Sequence, residues 1–121
     1  MNDIYIGKEA SLSKAFTDND VREFSKLSLD SNPVHLDEEY AKQTIFKQRI
    51  VHGFLCGSLI SAVIASKLPG PGSIYLHQEL NFKKPVFIDE TVTAVITVVD
   101  MNIEKSIVTL KTICYKGENE V

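Results

Sequence analysis

Asp30 and His35 stand five residues apart in the run DSNPVHLDEEYA, with a proline between them. A carboxylate and an imidazole held together can orient one water molecule and move its protons. That work needs the pair rigid, because misplacement forfeits effective molarity. Pro33 and the polar Asn32 are suited to stiffen the intervening loop. The same residues also fit an Asx turn at Asp30 or Asn32, with a histidine satisfied by the backbone. Spacing alone leaves both readings open.

His52 and Gly53 open an apolar stretch that reads as a helix. A helix N-terminus carries unpaired N–H groups and about half a positive charge. A glycine there lets a ligand come close to the backbone. The arrangement suits a carbonyl that gains negative charge during reaction. It equally suits a glycine needed only for close packing. Ser61 follows Gly53 by eight residues, about 12 Å along a helix axis at ~1.5 Å per residue. It cannot hold the same oxygen as Gly53, but it can contact Asp30 or His35, or merely permit tight packing.

Other candidates are weaker. His77 sits among polar neighbours and reads as a solvated histidine. Asp30, His35, Asp37 and His52 are metal-ligand types, yet their spacing matches no ligand motif, so no metal site is expected. Lys83 and Lys84 make a small basic step suited to solvent or to phosphates. Neither a P-loop nor a GxGxxG or GxSxG string occurs. Cys56 and Cys114 lie far apart, outside any CxxC or Cys/His spacing, and read as reduced thiols.

These residues need a scaffold. Residues 10–16 alternate apolar and polar side chains, as a half-buried strand does. Thr17 and Asp20 offer a capping box for a short amphipathic helix, with Val21, Phe24 and Leu27 inward and Arg22, Glu23, Ser25 and Lys26 outward. Asp37, Glu38 and Glu39 suit the first turn of another helix. Tyr40, Ala41, Ile45 and Phe46 are the residues expected to fix it to the core. Residues 52–68 are apolar nearly all round, which predicts an enclosed helix. The PGPGS turn, residues 69–73, ends it.

Beyond it the pattern turns to strands. Residues 73–82 place Ile74, Leu76, Leu80 and Phe82 on one face. Residues 91–99 are rich in β-branched side chains, residues 102–105 make a turn, and residues 106–115 return. The expectation is an α+β fold, with an antiparallel sheet wrapped around one long helix, in a single domain over residues 1–121. At 121 residues and 44% apolar side chains, the chain can build one real core. Thirteen Lys+Arg against sixteen Asp+Glu argue against nucleic acid as a partner. With no Trp and ten aromatic residues, a base-stacking platform is not expected either. Residues 50–66 lack any charged side chain but include His52, two glycines and three serines, so they read as a buried helix rather than a membrane span. The N-terminus lacks a signal-peptide layout, which points to the cytoplasm.

Three segments in order and spacing, DSNPVHLDEEYA, IVHGFLCGSLIS and LPGPGSIYLHQELNFKKPVFIDETV, resemble the R-specific enoyl-CoA hydratases. These are single-domain members of the MaoC-like dehydratase family with a hot-dog fold, and the likeness runs from about Leu12 to Tyr115. It implies Asp30 and His35 as the catalytic pair, the Gly53 N–H as binder of the thioester carbonyl, and Ser61 and Asn32 as supporting residues. It further implies syn addition of water to a trans-2-enoyl-CoA, giving the (R)-3-hydroxyacyl form. No cofactor is implied, coenzyme A being part of the substrate, and the acyl-CoA thioester is the expected partner together with a second copy in a homodimer. Which of Asp30 and His35 is base and which acid stays open. Family members continue past the position of Val121 with a further strand, whose lack would leave sheet edges unpaired. A hot-dog thioesterase using Asp30 with Gly53, or a non-catalytic thioester-binding subunit, are the alternatives.

Overall fold

The computed structural model describes residues 3–121. Strand β1 (Glu9–Ala15) leads into helix α1 (Asp18–Ser28), then two short helices, α2 (Pro33–Leu36) and α3 (Glu38–Lys42). The long helix α4 (Gly53–Ser66) follows, then β2 (Thr91–Asn102), β3 (Ile107–Lys116) and β4 (Asn119–Glu120). The four strands form one antiparallel sheet in the order β1-β2-β3-β4. Leu12 pairs with Ala94 and Ala94 with Cys114, and the register slips once at a bulge between Val98 and Asp100.

The alternation in β2 decides which face is the core. Val92, Ala94, Ile96 and Val98 are buried and their neighbours are not. A strand with one dry face turns every second side chain inward. That face meets Leu55, Cys56, Leu59, Ile60 and Val63 of α4, so the sheet wraps the helix as expected. Ala41 is buried as expected of α3, whereas Tyr40 and Ile45 are exposed. No helix among the described residues is long and apolar enough to cross a membrane.

Three expectations need correction. In α1 the capping box forms: the Asp20 N–H donates to Thr17 Oγ1 and the Thr17 N–H to Asp20 Oδ2. The inward face differs, however. Leu27 is 85% exposed and Ser25 is buried. Each helical residue turns ~100°, so a strict three-residue spacing drifts by ~60° per step, whereas Ser25, four after Val21, returns to within ~40° of it. Next, α4 is not enclosed by its own chain. Phe54, Ser58, Ser61, Ala62 and Ala65 form an exposed face at helical spacing.

Finally, residues 73–82 run extended but join no ladder. Ile74, Leu76 and Phe82 are exposed. A cavity of about 850 Å³, lined by Ile74, Leu76, Gln78, Leu110 and Thr112 among others, separates this segment from β3. Side chains bridge it at one point, where Gln78 Nε2 donates to Thr112 Oγ1. At its start the Ser73 N–H donates to the Gly70 carbonyl of the preceding turn, and just past its end the Lys83 N–H donates to the Val121 carbonyl.

Candidate active site

The site is built from the chain between α1 and α2. Leu29 leaves α1 in the left-handed conformation, with φ 67°, and swings the chain back across the helix end. The Asp30 N–H then donates to Ser28 Oγ, and the Asn32 N–H to Asp30 Oδ1. Asn32 caps α2 by accepting from the Val34 N–H, and Pro33 takes the first helical position, where its missing N–H costs nothing. The Asx turn and the candidate catalytic carboxylate are therefore the same residue. One Asp30 oxygen fixes the loop, and the side chain stays exposed.

His35 is 8% exposed. Its Nδ1 lies 2.8 Å from the Ile50 carbonyl oxygen. A carbonyl only accepts, so Nδ1 carries the proton in this bond and Nε2 of the neutral ring is left with a lone pair. Arg49 holds the same turn from outside. Its Nε donates to the His35 carbonyl and its Nη2 to Asp18 on α1, at 2.7 and 2.6 Å. Hydrogen bonds to Asp18 from Arg49 first, and then from Arg22 Nε one helical turn on, hold its carboxyl below the usual carboxylate range.

One carboxylate oxygen of Asp30 and one ring nitrogen each of His35 and His52 lie within 4.8 Å of one another. Two hydrogen bonds of about 2.8 Å meeting at a tetrahedral water span roughly that distance. A metal ion fits the group poorly. The rings of His35 and His52 are stacked, with centroids 3.9 Å apart and planes 28° apart, so their in-plane lone pairs run side by side rather than converging.

Gly53 is the first residue of α4, and no side chain caps that end. The Gly53 N–H has no acceptor among the described residues. The packing reading of this glycine also holds, because a Cβ here would lie 2.6 Å from Cε1 of Phe82. Gly53 and Asp30 line one cavity of about 740 Å³, whose other walls include Ile60, Leu80, Phe82 and Val86. His35 is not one of its wall residues. Lys83 and Lys84 also line it, and they reach Glu120 and Asn119.

Ser61 is exposed on the outer face of α4, with no hydrogen bond from its side chain among the described residues. It lines neither this cavity nor the one beside β3. His77 is exposed and lies 3.6 Å from Glu79. The two cysteines are free, and burial pushes the Cys56 thiol up to about 12 and raises that of Cys114, which makes both poor nucleophiles.

Sequence reasoning weighed the His52 side chain only as a metal-ligand type and placed Ser25 on the outward face of α1, where the structure buries it. His52 is 1% exposed, and its Nε2 lies 3.0 Å from Ser25 Oγ and 3.1 Å from the Asp30 carbonyl. The four-residue interval from Val21 to Ser25 was the available signal.

An antiparallel sheet around one helix, with a carboxylate and an imidazole beside that helix's N-terminus, is the arrangement of a thioester dehydratase domain. The family profile described as "MaoC like domain" matches residues 6–118, and the chain belongs to that family. It is 50% identical over 112 residues to an (R)-specific enoyl-CoA hydratase of Rhodospirillum rubrum, covering 93% of this chain and 78% of that enzyme. A second (R)-specific enoyl-CoA hydratase, from Aeromonas caviae, is 48% identical over 107 residues, covering 88% of this chain and 80% of the relative. Among solved structures, an (R)-hydratase from A. caviae involved in PHA biosynthesis superposes with a TM-score of 0.96 at 43% identity, over 100% of this chain and 92% of that one.

Proposed function

We propose that this chain is an (R)-specific enoyl-CoA hydratase, a hydro-lyase that adds water reversibly to a trans-2-enoyl-CoA to give the (R)-3-hydroxyacyl-CoA. The observation that carries the reading is the approach of Asp30 and His35 to within 4.8 Å, with His35 Nδ1 committed to Ile50. The names of the two relatives at 50% and 48% identity support it.

In this reading the water sits between Asp30 and the free Nε2 of His35. As its oxygen bonds to C3, its proton passes to Nε2 and the C2–C3 π pair moves toward the thioester carbonyl. The free Gly53 N–H, at the positive end of α4, stabilises the oxygen that gains charge. Asp30 holds the second hydrogen of the water and offsets the imidazolium charge. The proton on His35 then returns to C2 from the same face, so the addition is syn and the enzyme ends as it began. Asn32 supports the pair by capping α2. The acyl chain lies along Ile60, Leu80 and Phe82. Coenzyme A enters as part of the substrate, and these steps call on no further group.

The reading extends to one domain over residues 1–121, acting in the cytoplasm as a homodimer. The exposed face of α4, with Phe54 beside small side chains, supports pairing of two copies, and in such a pair Ser61 would lie at the interface. The test is an assay on enoyl-CoA substrates from four carbons upward. Loss of the enoyl-thioester absorbance without release of free thiol, giving product of R configuration, is expected. Free thiol would instead favour the thioesterase, and an S product would overturn the reading.

A further inference from the structure

His52 stands at the N-cap position of α4, yet its side chain makes no capping bond and turns into the protein. Four groups surround the ring. Phe24 meets it edge-on, with centroids 4.8 Å apart and planes at 67°. Ser25 Oγ and the Asp30 carbonyl both approach Nε2. His35 stacks on its face. The Asp30 carbonyl cannot donate, so His52 Nε2–H is the donor and Nδ1 holds the lone pair of the neutral ring. That Nδ1 is buried and has no partner among the described residues.

An unpartnered buried ring nitrogen is a standing cost. Packing alone does not account for it, since a phenylalanine would fill the same space against Phe24 without that cost. What a phenylalanine would lose is the bond to the Asp30 main chain. The His52 ring touches both members of the pair at once, the backbone of Asp30 along its edge and the imidazole of His35 on its face.

We propose that His52 is a positioning residue of this site: by its bond to the Asp30 carbonyl and its stack on His35 it sets the gap in which the water is held. Ser25 shares the Nε2–H and fixes the rotation of the ring. The titratable groups that face His52 are Asp30, from the loop after α1, and His35, from α2; Phe24 and Ser25 are what α1 presents. Burial, the largest influence, holds the His52 imidazole below the usual histidine range; the bond to the Asp30 carbonyl works against it, the neighbouring His35 charge lowers it further, and the Asp30 charge raises it. A neutral His52 leaves His35 free to carry the proton taken from water, whereas a second imidazolium against its face would oppose that charge.

This inference rests on the hydratase reading for its catalytic consequence but not for its geometric one, and the experiment separates the two. The chain has three histidines, so ring NMR signals of His35, His52 and the exposed His77 can be followed from pH 5 to 8 in wild type, His52→Phe and His52→Gln. In wild type, His52 is expected to carry its proton on Nε2 when neutral and to titrate below the ordinary histidine range. In the folded variants the His35 midpoint is expected to move by about half a pH unit or more, with His77 unchanged. Turnover is expected to fall about 10- to 100-fold with KM within about twofold, the glutamine variant falling less because it keeps a donor for the Asp30 carbonyl.

An unchanged His35 midpoint and tautomer in folded His52→Phe overturns the proposal. If neither variant folds, Ser25→Ala decides, expected to shift the His35 signal in the same direction by a smaller amount; no shift there overturns it. If wild type shows no hydratase activity, the functional reading falls, while the His35 signals still decide the positioning.

Discussion

The ring of Phe82 lies where a side chain at position 53 would have to go. A Cβ built on Gly53 would come within 2.6 and 2.7 Å of two Phe82 ring carbons. Four residues on, a Cβ at Gly57 would sit 3.6 Å from Leu80. The two glycines thus form a shallow groove on α4 into which alternate side chains of the extended segment fit.

Gly53→Ala tests how this groove serves the cavity. Phe82 is 58% exposed, so its ring can swing outward at little cost, and alanine gains some helix propensity over glycine. The two effects nearly cancel, and the melting temperature is expected to stay within about 4 °C of wild type, equivalent to less than ~1 kcal/mol. The N–H at position 53 is kept. The displaced Phe82, however, is a wall of the cavity shared with Asp30. KM for a short enoyl-CoA is therefore expected to rise severalfold while Tm barely moves. A large Tm loss with normal KM would mean that the glycine serves packing alone.

Asp30→Asn and His35→Gln separate chemistry from folding. Asparagine retains an oxygen for the Asn32 N–H, so the Asx turn survives, and glutamine can still donate to the Ile50 carbonyl. Both variants are expected to fold, with circular dichroism like that of wild type. Each removes one side of the proposed water-holding pair, and activity is expected to fall by about 1000-fold or more, as when one member of a cooperating catalytic group is lost. Retained turnover in either would overturn the assignment.

The sequence carried the helix and the sheet because their periods are local. Val92, Ala94, Ile96 and Val98 alternate whatever lies beyond them, and the rows Leu55, Leu59, Val63 and Cys56, Ile60 mark the buried side of α4. Residues 73–82 show where period stops being enough. Alternation states that two faces differ, but it does not supply a neighbouring strand, and here most of the segment faces a cavity. That Asp30 and His35 stand close together was legible because Asp30, Pro33 and His35 share one short stretch. The contacts of His52 were not, since Ser25, Asp30 and His35 reach it from separations of 27, 22 and 17 residues, which only the folded chain brings together.

The neutral His52 makes stability depend on pH. Its folded pKa lies below the ordinary value of 6.5, so between the two the unfolded chain binds a proton that the folded one does not. Stability therefore rises with pH through that window. It is fully present above about pH 6.5 and declines on acidification, by at most ~1.4 kcal/mol per pH unit for one proton. Urea unfolding at pH 7.5 and 5.5 checks this. Wild type is expected to lose more stability across the interval than His52→Phe, in which the titrating group is gone. Equal losses would show that His52 is protonated within the fold.

Arg49 joins two parts of the scaffold that otherwise touch lightly. One arm of its guanidinium holds the His35 carbonyl and another holds Asp18 on α1. The side chain is only 11% exposed, so these bonds are screened less than those of a surface pair. Lysine at this position keeps the charge but presents a single ammonium in place of a fork, so it cannot make both bonds in the same geometry. Arg49→Lys is expected to lose about 1.5–3 kcal/mol in urea unfolding, the scale of one charge-assisted hydrogen bond. Because the lost bond anchors the turn that carries His35, turnover is expected to fall as well. Asp18→Ala removes the other end of the bridge and leaves the bond to His35 in place. It is expected to cost less stability and to spare turnover. Equal effects of the two substitutions on turnover would mean that the bridge to α1, rather than the grip on His35, is what the site depends on.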